Sequence, residues 1–277
     1  MANLRIVYDN AVKRMSLSAS SQAGTLTAER LKSNVKTRVW RSTSASATLT
    51  ATFDGGAEPV ECVILPFCNF SSSATIRVRG YIDTTTTTPL FDTGPQIGCP
   101  YSSFEALDWG VQPLGVNAFS YGAASQCVIW FPITIVKKLV IDFVDPISDA
   151  GYLEGSCLVI GTYWTPRINM GYGASVVIQE TTKNERSESG VLRSDRGTRS
   201  RKLSFDLKHM DPSDRSQLWT IMTSNGMINP AFFSLYPEDD DTIAEQMHQV
   251  LGKLSQQSKI AAQAWGTSQA PFEVEEV

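Results

Sequence analysis

The chain has 277 residues, 42% hydrophobic and 19% charged, with a formal net charge of −4. That length allows one large domain or two ordinary ones with real cores. The negative balance argues against general nucleic-acid binding, which relies on a cationic surface to displace counterions.

Serine and threonine supply much of the missing polarity. STSASATLTAT (42–52) holds seven of them in eleven residues, and Thr84 to Thr88 is an unbroken run of five. Exposed sheet faces accept β-branched threonine better than helices do. The fold class expected is mainly β. Arg5, Asp9, Lys13 and Arg14 interrupt any apolar core near the start, so no signal peptide is expected. The longest uncharged stretch, Trp109 to Val136, carries three glycines and two prolines, which argues against a membrane span.

Short strands are predicted over RVWRS (38–42), ATLTATF (47–53), VECVILPF (60–67), ATIRVRGYI (74–82), QCVIWFPI (126–133), KKLVIDFVD (137–145) and GYLEGSCLVIGTYW (151–164). Seven or more such strands separated by turn signals suggest a sandwich or barrel. The connection from Pro89 to Ser125 is long enough to be functional or part of an interface.

A compositional shift near Pro166 marks a division into 1–165 and a smaller α+β part, 166–277. Residues 167–215 hold ten Lys/Arg and seven Asp/Glu, whereas 216–277 hold two and eight. A helix is predicted over about 212–225, with Asp211 as N-cap, Pro212 in its first turn and Gly226 at its end. Leu218, Trp219, Ile221 and Met222 form its apolar side. AFFSLYP (231–237) and APFEVEEV (270–277) read as strands, and residues 242–266 fit either a helix or a strand interrupted by Gly252. Glu238 to Asp241 is expected to be a solvated turn, because calcium loops space their carboxylates.

Catalysis finds little support. His209 and His248 are the only histidines, both in the second half, while Cys62, Cys68, Cys99, Cys127 and Cys157 all lie in the first. No nucleophile elbow, phosphate loop, dinucleotide fingerprint or zinc-binding helix motif is present. The chain is expected not to be an enzyme and to need no cofactor or metal. Five unpaired cysteines, three of them with apolar neighbours, suggest small buried thiols in a reducing compartment.

Three sets of residues are candidate contacts. In CNFSSSATIRVRGYID (68–83), Arg77 and Arg79 alternate with Ile76 and Val78, as outward residues of a half-buried strand do. The pair can hold a ligand, grip a partner or only face water; a subunit contact is preferred. KNERSESGVLRSDRGTRSRK (183–202) holds seven Lys/Arg and three acids, Arg193, Arg196, Arg199, Arg201 and Lys202 among them. It reads as an arm docking on an acidic neighbour, as a contact with passing nucleic acid, or as a solvated loop. Trp40, Arg41 and Trp109, in or beside loops, are candidate saccharide contacts, since sugars offer both apolar C–H faces and hydroxyls. A core role for each Trp is the preferred reading.

The order of VWRST, TATFDG, VILPFCNFSSSATIRVRGYID, LFDTG, IDFVDP, GYLEGSCLVIGTYWTPRINMGYG and RKLSFDL…DRSQLWTIM resembles tail-tip or baseplate proteins (distal tail or minor tail proteins) of long-tailed bacteriophages. The resemblance covers most of the chain. It implies an N-terminal discoidin-like (galactose-binding-like) jelly roll over 1–165 and a structural role in the virion. It further implies a three- or six-fold ring joining the tail tube to hub, baseplate or fibre proteins, assembled in the host bacterial cytoplasm. A carbohydrate-binding module contacting a host-surface saccharide is the alternative.

Overall fold

A computed structural model describes residues 3–99, 125–195, 197–239, 241–256, 258–264 and 267–277. The chain divides into two compact units. One comprises residues 7–164 with 238–246; the other comprises 1–6, 165–237 and 247–277.

The first strand, β1 (Arg5–Val7), joins the sheet of the second unit. The division at 165/166 had drawn residues 1–6 into the N-terminal domain; Leu4 and Ile6, both fully buried, instead go with the C-terminal part. Leu4 and Ile6 are compatible with either sheet, so local pattern does not choose between them.

The first unit is a jelly-roll β-sandwich. One sheet runs β2 (Met15–Ala19), β4 (Ser46–Phe53), β10 (Lys138–Val144), β6 (Thr75–Tyr81) and β7 (Phe91–Asp92), with β8 (Gln96–Ile97) also on β6. The other is built on β5 (Glu58–Cys68). It pairs with β9 (Ser125–Val136) and also with β11 (Glu154–Ser156) and β12 (Val159–Gly161), and β3 (Trp40–Arg41) adds to β11. Strands β4, β5, β6, β9, β10 and β11 alternate between the sheets, with the short β7 and β8 staying beside β6, in jelly-roll fashion. The last predicted strand is two short ones, because Cys157 takes a left-handed φ of 58° between them.

Alternation builds the core. Leu49, Ala51 and Phe53, Ile76 and Val78, and Leu139, Ile141 and Phe143 all point inward and are buried. Gly80 is required where the β6 backbone passes the Phe91 ring, because an added Cβ would lie 2.2 Å from it.

Two polar features of the sequence are local turns. The threonine run follows Asp83, whose carboxylate accepts from the backbone N–H of Thr85 and Thr86 at 2.8 and 2.6 Å. The NFSSS loop is pinned by Asp145, buried at 1% exposure, which accepts from Ser71 N–H at 2.8 Å and Ser71 Oγ at 2.5 Å. Replacing Asp145 with alanine is expected to cost about 1–3 kcal/mol, since the part-buried Ser71 donors lose a charged partner. Urea denaturation measures it, and a loss below about 0.5 kcal/mol would contradict the pinning role.

The second unit is α+β. Its sheet order is β1, β17 (Ala231–Ser234), β18 (Gln249–Leu254), β20 (Thr267–Glu276), β16 (Arg199–Met210) and β13 (Ser175–Glu180), with β19 (Ala261–Ala264) also on β20. Phe205 and Phe272 face each other in register and stack at 5.0 Å. Helix α1 (Pro212–Asn225) begins where Asp211 accepts from the Asp214 N–H and ends at Gly226, φ 53°. It buries Leu218 and Ile221, but Trp219 is 65% exposed, so the apolar side is narrower than its sequence implied. The ambiguous stretch contains both alternatives, α2 (Thr242–Met247), of which 242–246 belong to the first unit, followed by β18 of the second. A two-stranded hairpin, β14 (Lys183–Arg186) and β15 (Leu192–Asp195), lies between β13 and β16, and every residue of both strands is exposed.

Candidate functional site

The outer face of the first sandwich sheet gathers polar side chains into rows, because directly opposed residues on antiparallel strands share a face. Thr48, Asp142 and Arg77 form one row across β4, β10 and β6. Ser46, Val144 and Thr75 form the row on one side of it; Thr50, Val140 and Arg79 form the row on the other.

Ion pairs lock this face. Asp142 accepts from Thr48 Oγ1 at 2.8 Å and from Arg79 Nη2 at 2.5 Å. Arg77 reaches the other way and grips Asp92 on β7 with two bonds, Nε–Oδ1 at 2.9 Å and Nη2–Oδ2 at 2.5 Å. Such a two-pronged pair fixes the guanidinium plane as well as its charge. Asp92 also accepts from the Gly94 N–H at 2.9 Å. The Arg77 hydrogen bonds, with help from Gly94 and against partial burial, hold the Asp92 carboxyl down to about 2.

Because this pKa lies below the ordinary 3.8, the stabilisation from the Arg77–Asp92 pair is complete above about pH 4 and fades as pH falls through about 2. An NMR titration of the Asp92 carboxyl carbon is expected to show a midpoint near 2. In Arg77→Ala the midpoint should return toward 3.8. A wild-type midpoint at the ordinary value would contradict the geometry.

Beside the locked pairs lies a groove of about 370 Å³. Ser20, Ser46, Thr48 and Thr75 give it hydroxyls, Arg77 a guanidinium, Asp142 a carboxylate, and Pro95 and Val144 an apolar component. Val144 is 45% exposed. Donors, acceptors and a small apolar surface thus share one concave site, with one positive and one negative side chain in its lining. Each of the carboxylates Asp92 and Asp142 is bonded to an arginine. Among the described residues, no group of three or more His, Cys, Asp or Glu could hold a metal ion. No described helix is long and apolar enough to cross a membrane.

Arg77 and Arg79 face outward as their alternation indicated, and both are part of this face. Trp40 takes the core role preferred for it: it is fully buried, packs 6.2 Å from Phe143 and donates its indole N–H to Ser21 O at 3.3 Å. Its ring faces meet core residues and offer nothing to a sugar. Arg41 lies elsewhere, bonded through Nε to Glu154 at 2.7 Å and stacked 4.3 Å over the Tyr152 ring. Trp109 lies outside the described residues.

The basic segment separates into parts. Arg193 is exposed on β15, and Arg199 is 3.4 Å from Glu180. Arg196 lies outside the described residues. Arg201 and Lys202 correct the expectation of a docking surface: they pair with Glu276 at 2.7 Å and Glu273 at 2.8 Å within their own sheet. The charge split read as complementarity between subunits is therefore used in part between β16 and β20 of one chain. Thr48, Asp92 and Asp142 were not singled out from sequence. The available signal was a carboxylate at an outward position of IDFV and another in LFDTG, on strands adjoining the arginines.

No family model matches the sequence, and no curated protein matches it. Among solved structures, a chitosan-binding module from a Paenibacillus sp. IK-5 chitosanase/glucanase is 17% identical, covering 55% of this chain and 98% of its own, with TM-score 0.38. A Clostridium perfringens module solved with GalNAc-β-1,3-galactose is 9% identical, covering 55% and 98%, at TM-score 0.38. The family 32 carbohydrate-binding module of C. perfringens NanJ, solved with galactose, is 12% identical, covering 58% and 99%, also at 0.38.

Proposed function

We propose that the sandwich unit is a saccharide-binding module and that the groove on its outer sheet face takes an uncharged sugar. The observation that supports this most is the composition of the groove: four hydroxyl side chains, Arg77 and Asp142 around Pro95 and Val144. Sugar hydroxyls both donate and accept, so a guanidinium and a carboxylate in fixed positions supply complementary partners. The apolar C–H face needs only a modest non-polar patch. A lining with one charge of each sign favours a neutral ligand over an acidic one. The role is binding rather than catalysis.

Calorimetry of the full chain against a panel of neutral mono- and oligosaccharides tests the reading. One member should bind, and Arg77→Ala should weaken it about 10- to 100-fold, as expected for loss of a hydrogen bond to a charged group. Absence of binding across the panel, or binding unaffected by Arg77→Ala, overturns it.

A second reading keeps the tail-tip role, with the chain forming a ring in a virion and meeting hub or fibre proteins. The fully exposed β14–β15 hairpin favours it, because such an arm buries its surface only against another molecule. A monomeric mass at all accessible concentrations, alone and with tail components, would remove this second reading.

A further inference from the structure

Three of the five cysteines meet inside the sandwich. Cys68 ends β5, Cys127 lies in β9, and Cys99 follows β8. Cys68 and Cys99 have their sulfurs 3.9 Å apart. Cys68 Sγ donates to Ser125 O at 3.1 Å, and Cys99 Sγ donates to Gln126 O at 3.2 Å. The Cys127 sulfur lies 2.7 Å from where a Cβ on Gly98 would be, so this corner has no room for a larger side chain. Cys62 and Cys157 are buried as well; Cys62 donates to Gly161 O at 3.2 Å.

We propose that Cys68 and Cys99 are an oxidisable pair that forms a disulfide when the protein meets a peroxide. Their separation is within reach of a small side-chain rotation, and Cys99 lies two residues beyond β8 of the other sheet. Cys68 is on the β5 sheet. Cys99 follows Gly98, whose N–H bonds Ala74 O at the start of β6. The bond would therefore tie the two layers of the sandwich together.

The chemistry closes with peroxide as the oxidant. Cys68, 5% exposed against 0% for Cys99, is the point of entry. Its thiolate attacks one peroxide oxygen, the O–O bond breaks, and hydroxide leaves, taking up the thiol's proton as water. Cys99 sulfur then attacks the sulfenic sulfur of Cys68, and the departing hydroxyl takes the Cys99 proton as a second water. Two thiols are oxidised and one peroxide is reduced to two waters. Hydrogen bonding to Cys127 and Cys68 together with burial pushes the Cys99 thiol well above its ordinary value. Cys99 is therefore not the thiol that meets the oxidant first; its place as the resolving partner rests on its sulfur lying 3.9 Å from that of Cys68. Closing a loop of some thirty residues should raise the melting midpoint by about 10 °C.

The test treats the full chain with dilute hydrogen peroxide, denatures it, counts thiols and maps peptides without reductant. The expected result is a fall from five thiols to three, a Cys68–Cys99 linked peptide lighter by two hydrogens, and a higher melting midpoint reversed by reductant. In Cys99→Ser, Cys68 should instead accumulate a dimedone-reactive sulfenic acid. The proposal is overturned by a full thiol count with no linked peptide, or by linkage to Cys62 or Cys157. It is likewise overturned by a linked protein that melts no higher, or by a wild-type link from Cys127 to Cys68 or Cys99.

Discussion

Replacing Trp40 with alanine is expected to destabilise the sandwich by about 3–5 kcal/mol, the usual cost of removing a large buried aromatic side chain. Trp40 is fully buried, leans on Phe143 at 6.2 Å, and uses its indole N–H on Ser21 O. Its removal leaves a cavity beside Phe143 and an unpaired Ser21 carbonyl, and neither can be refilled by a small shift. Guanidinium denaturation with a tryptophan-independent probe measures the loss. Unchanged stability with altered ligand binding would instead favour the sugar contact that is the lesser reading of Trp40.

Reversing Arg201 to glutamate is expected to cost a similar amount, about 3–5 kcal/mol, because it removes one partner of a nearly buried ion pair and adds a like charge. The Arg201 and Glu276 side chains are only 12% and 7% exposed, and Arg201 bonds Glu276 through both its guanidinium and its backbone N–H. The pair fastens β16 to the end of β20. The variant should therefore unfold more easily in its second unit as a monomer, whatever its assembly state. Normal stability combined with a changed oligomer mass would show that Arg201 serves a neighbouring molecule after all. Reversing the outlying Arg193, exposed on β15, should leave stability within about 0.5 kcal/mol.

The contrast between these arginines shows what was legible in the sequence. Alternation in SATLTATF, TIRVRGY and KLVIDFV identifies three strands of one sheet and the inward residues of each, because period-2 burial is a local property. The cap at Asp211 and the stop at Gly226 are local too, and α1 begins and ends where they indicate. Partner choice is not local. Asp142 lies sixty-three residues from Arg79, and Glu276 seventy-five from Arg201, so only sheet order brings them together. The same applies to β1, whose place depends on a sheet completed near the other end of the chain. Trp40 stays open between a core role, the preferred reading, and a sugar contact, because a two-residue strand offers no period to distinguish inside from outside. Residues 242–266 fit either element because a helix, α2, is followed at once by a strand, β18, and no single period fits both.

The groove over Thr48, Asp142 and Arg77 is tested most directly by NMR shift mapping of the labelled full chain titrated with a neutral oligosaccharide that binds by calorimetry. The expected result is a set of saturable amide and side-chain shifts centred on Ser46, Thr48, Thr75, Arg77 and Val144, lost in Arg77→Ala while the rest of the spectrum is retained. Shifts confined to another surface, such as Arg41 and Tyr152 or the β14–β15 hairpin, would contradict a sugar site on this sheet face.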